Sequence, residues 1–488
     1  MALDGLGYAM TRASQTFLIE QSLCRAYYTA YDPDVVGHNG DIPEAMCKTE
    51  MLQSHVAVLA TTLDFSILVT GFLAGPIYTQ LASIVGKRNV LLLNTTSFVL
   101  RMVWYTSVFY FHNGIQDVRW VLLSCVFDLF GGGVPMREIL LYLYIAESVP
   151  GDSMMGTFNI LTAILVGNAS LGTFISASLL NVNVFITCGL IVGIYVMLVP
   201  LVASFPRDRP TPSQTYNEGD ASGEECRSLM PDNALAISVP HGASSSPMME
   251  HGNALGAHKT PKGPVPTMFR ALVRAATVDL HLSIQLVLQT IRHPFTRPVM
   301  ILYFGTTLAS CISLTTQQWA SSTFHTSISN IDKVTAMEQI ISAATLLALP
   351  WLARYFLHPR LHTKKAVDFA VVLGSLMVTI VGVLIIASAP SLLAYGMGVA
   401  VAATGIGLSD ALRSLATTAL SDKDLVQKLY MSIRTVQTLA AMIGAPLWSG
   451  FFVWLLDHPS VSRGTLYLGH ALIMFLCLLL AISLQRSR

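Results

Sequence analysis

Stretches of about twenty apolar residues, each closed by a short polar turn, recur along this chain of 488 residues and restrict its fold before any motif is consulted. A bilayer core about 30 Å thick is crossed by a helix of roughly 20 apolar residues. By that measure helices are predicted over residues 56–81, 90–111, 120–146, 157–180 and 184–205, and again over 299–319, 334–356, 367–389, 392–415, 430–456 and 466–484. Charged residues make up only 12% of the chain, against roughly 25% in soluble domains. The expected class is therefore an all-α protein immersed in a lipid bilayer.

A polar middle divides these runs. Residues 207–297 begin RDRPTPSQTYNEGDASGEECRSLM, and they read as a tether between an N-terminal bundle, 1–206, and a C-terminal bundle, 298–488. The part over 207–267 has too little apolar content to fold alone and is expected to be disordered. Over 268–291, Leu272, Ala275, Ala276, Asp279, Leu280 and Leu288 suggest an amphipathic helix at the membrane interface, stopped by Pro294 and Pro298. The alternative is a merely solvated linker helix. Two halves of equal helix number, about twelve in all, require one more helix before Cys24. Residues 2–23 carry Asp4, Arg12, Gln15, Glu20 and Gln21 and make a poor span. Either this helix faces a water-filled cavity, or the chain starts part-way along a helix that was once longer. The second is the expectation, which leaves open whether Met1 is the true start.

Lysine and arginine set the orientation. Lys87, Arg88, Arg354, Arg360, Lys364, Lys365, Lys423, Lys428, Arg486 and Arg488 fall on one side with the tether, so that side is expected to be the cytoplasm, with both termini inside and the plasma membrane as the location. On the opposite side Cys24 and Cys47 close an acidic loop, where a disulfide is permitted and two unpaired thiols are the alternative. Net charge is +1 with no basic run, which argues against nucleic acid as a partner. Cys125, Cys188, Cys311 and Cys477 sit inside apolar runs as small hydrophobes, and no CxxC spacing suggests a metal. No HExxH and no nucleophile elbow is present, so neither an enzyme nor a cofactor is expected.

The stretch TQLASIVGKRNVLLL resembles the signature loop of the major facilitator superfamily, roughly G-x-L-a-D-R-x-G-R-R. Leu81, Ala82, Gly86, Lys87 and Arg88 match; Thr79 replaces the glycine, Ser83 the aspartate and Ile84 the first arginine. CRAYY from Cys24, ALRSLATTAL around Arg413 and LYMSIRTVQTLAAMIGAPL resemble a fungal branch of that superfamily, with transporters of drugs, metabolites or nutrients. LPWLARYFLHPRLHTKK, around Arg354, stands where the second half would repeat the loop. The resemblance implies two six-helix bundles, with Gly86, Lys87 and Arg88 at a cytoplasmic gate that Ser83 and Ile84 prevent from forming its usual charge relay. Family exporters show glycine-proline and paired glycines in the fifth helix. Here the stretch is GNASLGT from Gly167, with Ala169 for the proline and Thr173 for the last glycine.

Ionisable residues inside a span cost about 2.5 to 3.5 kcal/mol each on insertion scales, so each needs a partner or a purpose. Asp64, Arg101 and Asp128 fall at similar depth in three successive helices. They can form a proton- or substrate-binding cluster, or a structural ion pair. Arg137 and Glu138 follow Gly131, Gly132, Gly133 and Pro135. Arg137 resembles a functional arginine of the family's fourth helix, or else it snorkels toward Glu147. Asp410 and Arg413, one turn apart, suggest a latch at the inner gate, or plain interfacial solvation. Gln317, Gln318 and Trp319 are expected near the outer mouth, with Trp319 as an interfacial anchor rather than a cavity residue. The function expected is secondary transport of a small organic solute, acting as a monomer, with export of a metabolite or drug first. Proton-coupled uptake is the second reading, and a non-transporting receptor or scaffold derived from a transporter the third.

Overall fold

The computed structural model describes residues 2–37, 42–111, 115, 117–134, 136–137, 140, 154–205, 285, 287–288, 296–417 and 423–486, and no strand occurs among them. The first half contains α1 (Ala2–Tyr31), α2 (Glu50–Val85), α3 (Lys87–Tyr110), α4 (Ser124–Leu129), α5 (Met154–Leu180) and α6 (Val184–Ala203). The second contains α7 (Thr296–Ser310) and α8 (Ser313–Phe324), α9 (Ile328–Leu352), α10 (Lys364–Ala387), α11 (Leu392–Ala403) and α12 (Leu408–Thr417), α13 (Lys423–Asp457) and α14 (Thr465–Arg486). The pairs α7–α8 and α11–α12 are single crossings interrupted by short turns, so among the described residues the second half presents six crossings and the first half five helices of 20 residues or more, with the short α4 besides. Nine stretches among those residues are long and apolar enough to cross a bilayer, and the protein is an integral, multi-pass membrane protein.

The interfacial helix expected over 268–291 lies outside the described residues except at Gln285, Val287 and Leu288, and so do Glu138 and Glu147. The expectation of a curtailed first helix gives way to a different picture. Helix α1 runs 30 residues, about 45 Å at 1.5 Å per residue, which exceeds the bilayer core. Asp4, Arg12 and Glu20 each meet a partner on another element, as set out below. A window of hydropathy registers the charge of such a helix and cannot register the partner that neutralises it.

The run over 120–146 is not one continuous helix. A 3-10 turn, Val118–Leu123, leads into α4, and the backbone then opens at Gly132 and Gly133, whose φ values of 77° and 66° lie in the left-handed region that glycine adopts without strain. The side-chain amide of Asn94 on α3 donates to the carbonyls of Gly131 (2.6 Å) and Gly133 (2.8 Å), satisfying groups that lipid could not. A Cβ on Gly131 would stand 2.9 Å from the Cα of Asn94, so the glycine is also what lets the two backbones touch.

Each half has its own apolar core. In the first, Met10, Leu63, Phe98, Met102 and Tyr195 draw α1, α2, α3 and α6 together; in the second, Leu302, Tyr303, Leu376, Leu412 and Met474 join α7, α10, α12 and α14. The halves meet along two seams, α5 against α9 and α2 against α13.

Within the first half, α1 crosses α5 so closely that a Cβ on Gly172 would lie 2.4 Å from the backbone oxygen of Leu6, whereas Gly167, five residues earlier on another face of the helix, has open space around it. Gly172→Ala is therefore expected to force the helices apart at a cost of about 1–3 kcal/mol, the range for overpacking. Gly167→Ala is expected to stay within about 0.5 kcal/mol of the parent. Thermal unfolding midpoints of the two variants in detergent check this, and equal midpoints would contradict the close crossing.

Candidate functional site

Three ion pairs lie inside the first half. Arg101 on α3 donates from Nη1 to Asp128 Oδ2 on α4 at 2.8 Å, with side-chain exposures of 7% and 1%, so this pair is sealed from the interior space. Arg12 on α1 donates from Nη1 to both carboxylate oxygens of Asp64 on α2, 2.9 Å each, at exposures of 32% and 13%, so this pair is partly open. Arg137, 4% exposed, pairs with Asp4 at the start of α1. The guanidinium carbons of Arg101 and Arg137 sit 4.2 and 4.5 Å from the centre of the Phe98 ring, and that of Arg137 is 5.4 Å from the Tyr195 ring. Two cations thus share aromatic faces as well as carboxylates, a favourable setting for charge in a dry interior.

The expected trio of Asp64, Arg101 and Asp128 does not assemble. The thiol of Cys125, on α4, lies 3.8 Å from the Leu63 carbonyl, so Asp64 and Asp128 belong to helix segments in contact. Helix rotation separates their side chains: Asp64 turns to α1, and Asp128 turns to α3. Arg137 likewise meets Asp4, a residue of the helix that had looked too polar to span.

A second group gathers at the end of the molecule that bears the α1–α2 connection. A disulfide joins Cys24 to Cys47 there. Lys48 donates to Glu20 of α1 (2.6 Å) and to Glu44 (2.9 Å), and the same Glu44 oxygen accepts the backbone N–H of Ile328, the first residue of α9 in the other half (2.8 Å). Close by, Arg463 bonds Glu50 (2.9 Å) and the Ser322 carbonyl (2.7 Å), and Trp319 donates to the carbonyl of Arg463 (2.8 Å). Trp319 is thus a buried packing residue, at 2% exposure, and not an interfacial anchor.

Further hydrogen bonds join the halves below that end. Ser170 bonds the Ala336 carbonyl (2.8 Å), Ser329 that of Ala177 (2.7 Å) and Ser449 that of Ala57 (3.3 Å), while Thr173 donates to Gln339 (3.2 Å). Thr16 on α1 donates to the Gln317 side-chain oxygen on α8 (2.7 Å), and the Gln317 amide donates in turn to Asp332 on α9. Thr16 lies one turn beyond Arg12, so the face of α1 that carries the Arg12–Asp64 pair also faces the second half.

The remaining candidates lie apart from this region. Gly86 links α2 to α3 with φ 92° and ψ 145°, a glycine conformation, and Lys87 and Arg88 open α3. Asp410 and Arg413 form an i,i+3 pair at 3.7 Å with exposures of 40% and 42%, a geometry worth little by itself. No grouping of three His, Cys, Asp or Glu side chains among the described residues is placed to hold a metal ion. The residues missed by the sequence reading are Asp332, the partners Arg12, Asp4 and Thr16, and the loop group Glu20, Glu44 and Lys48. The polar character of residues 2–23 was the signal for four of them.

Removing one member of a sealed pair leaves an unmatched buried charge, at a cost of about 3–5 kcal/mol, whereas replacing both by apolar residues is often neutral. Arg101→Met alone is expected to lower the unfolding midpoint sharply, and adding Asp128→Leu to restore most of the loss. A double variant no more stable than the single one would contradict a structural role for the pair.

No protein-family profile matches the chain. The MFS efflux pump atnC of Emericella nidulans is 30% identical over 224 residues, which is 44% of this chain and 43% of that protein, so the chain spans under half the length of that relative. The MFS transporter SAT21 of Stachybotrys chartarum is 23% identical over 448 residues, 91% of this chain and 88% of that protein. Among solved structures, the human organic anion transporter MFSD10 superposes with a TM-score of 0.57 at 13% identity, covering 98% of each chain, which is a likeness of fold. The helical fold, a partial signature loop and fungal relatives across most of the sequence converge: the chain has the major facilitator fold and is similar to fungal MFS transporters.

Proposed function

We propose that this protein is a secondary transporter that moves a small organic solute by alternating access, with export as its direction. The observation that carries the reading is the partly open Arg12–Asp64 pair on the side of the first half that faces the second. An ionisable pair left open inside a membrane bundle borders a polar space, because lipid would not tolerate it. The sealed Arg101–Asp128 pair has no such access and acts as a brace.

Alternating access needs contacts between the halves that break at one end and form at the other. In this conformation the disulfide-bearing end is shut: Glu44 reaches the start of α9, Arg463 reaches Glu50, and serine hydroxyls meet carbonyls across both seams. With the disulfide in the oxidising compartment and the lysine-rich turns in the cytoplasm, the shut end is the outer one and both termini are inside. The plasma membrane is the proposed location. Export is supported by the similarity to atnC, an MFS efflux pump.

Purified protein in liposomes, offered a panel of radiolabelled small organic solutes, tests this directly. Counterflow of at least one solute is expected. Arg12→Ala is expected to reduce it about tenfold or more, while Arg101→Met with Asp128→Leu retains it. No flux of any solute, with the protein folded and correctly inserted, would favour the scaffold reading.

A further inference from the structure

Glu338 lies about 15 Å from the start of α9 at 1.5 Å per residue, near the middle of that 25-residue helix. Three sides of α9 are distinguishable there. Ala336 and Gln339 accept hydrogen bonds from Ser170 and Thr173 of α5, so they mark the seam with the first half. Ile340 and Leu347, 58% and 62% exposed, mark the lipid side. At about 100° per residue, the Glu338 side chain points about 160° from Ile340 and about 180° from Leu347. It shares its side of the helix with Ile331 and Ser342, which are buried, yet it is itself partly exposed. A side chain turned away from lipid and still accessible borders a space inside the protein.

Glu338 makes no hydrogen bond and no ion pair with any described residue. The acids inside the first half are each matched: Asp4 by Arg137, Asp64 by Arg12 and Asp128 by Arg101. The groups nearest Glu338 supply no positive charge. Tyr395 of α11 and Tyr467 of α14 lie within electrostatic reach and are neutral phenols, the second bonded to Thr316 of α8 at 3.0 Å. Asp332, earlier on α9, is a further acid, held by Gln317. Lys333 is bonded back to Asn330 toward the helix start, and Arg434 of α13 stands at the opposite end of the molecule, where its span begins at Ser432. Arg12, on the first-half side, is already neutralised by Asp64. A carboxylate so placed in a membrane bundle calls for a cation that the neighbouring side chains do not provide.

We propose that Glu338 is the counter-charge for an organic cation, so that the solute this protein carries is a protonated amine whose N–H groups meet the Glu338 carboxylate. This rests on the transport reading and narrows it to a substrate class. The contact is an ion pair with a charge-assisted hydrogen bond, and no covalent bond forms or breaks. An anionic solute would instead approach two acids, Glu338 and Asp332. An uncharged one would have to strip water from the carboxylate and leave its charge unmatched.

Purified protein in detergent is heated with phenethylamine, tryptamine and cyclohexylmethylamine, each paired with the uncharged alcohol of the same skeleton. At least one amine is expected to raise the unfolding midpoint, with an apparent affinity about tenfold or more above that of its alcohol, the factor that one hydrogen bond to a charged group supplies. Glu338→Gln is expected to bind that amine about tenfold more weakly and to lose the preference, and Glu338→Asp to keep part of it. With no solute present, Glu338→Gln is expected to unfold no earlier than the parent, because it removes a charge that has no partner. Amines that bind the parent no better than their alcohols overturn the proposal, a result that needs no variant. So does a Glu338→Gln chain that binds amines as the parent does, and one that does not fold marks the acid as structural and overturns it equally. A preference for amines that is lost in Glu338→Gln, with no counterflow of any solute in liposomes, overturns the transport reading alone. Counterflow confined to anionic or uncharged solutes overturns this inference alone.

Discussion

Charge placed in a membrane bundle has to be matched there, and α1 is the helix on which that requirement bears hardest. Asp4 finds Arg137 beyond α4, Arg12 finds Asp64 on α2, and Glu20 finds Lys48 in the connection that follows α1. Each pair ties α1 to a different neighbour, so its position is set at three heights along its length. The apolar core around Met10, Leu63 and Phe98 then packs in a register the ion pairs have already restricted. Helices α2, α5 and α6 are apolar enough to enter a bilayer alone; α1 is stabilised there by its partners.

The two seams between the halves are made differently. Apart from the charged contacts at the disulfide-bearing end, the cross-half hydrogen bonds run mostly from a serine hydroxyl to a helix carbonyl that already serves its own helix. Such bonds need close approach and small residues, and their loss leaves no buried charge behind. Ion pairs within the first half, by contrast, would leave unmatched charge if broken, so they hold that half together.

Much of the fold was legible in the sequence because length and hydropathy are the quantities a bilayer selects. The apolar runs follow from them, whereas the resemblance to the family rests on motifs such as the stretch around Gly86, Lys87 and Arg88. The helix breaks were partly visible: the glycines at 131–133 signalled bending, but the grip of Asn94 on their carbonyls depends on which face of α3 meets them. Rotation about the helix axis explains the rest. Asp64 and Asp128 sit on segments in contact and still choose different arginines, and Trp319 faces the protein rather than the headgroups. Asp332 drew no attention in the sequence because it sits near a helix start, where an acid is ordinary. Its burial comes from the other helices.

The Cys24–Cys47 bridge gives the short connection after α1 a leverage out of proportion to its size. By anchoring residues 43–48 to the end of α1, it holds Glu44 where a single carboxylate oxygen can serve Lys48 and the first amide of α9 at once. The loop then works as a hasp: one side is riveted to the first half, and the other hooks over the second. The connection is thereby a structural element shared by both halves, and breaking one covalent bond would loosen the hold of the first half on the start of α9.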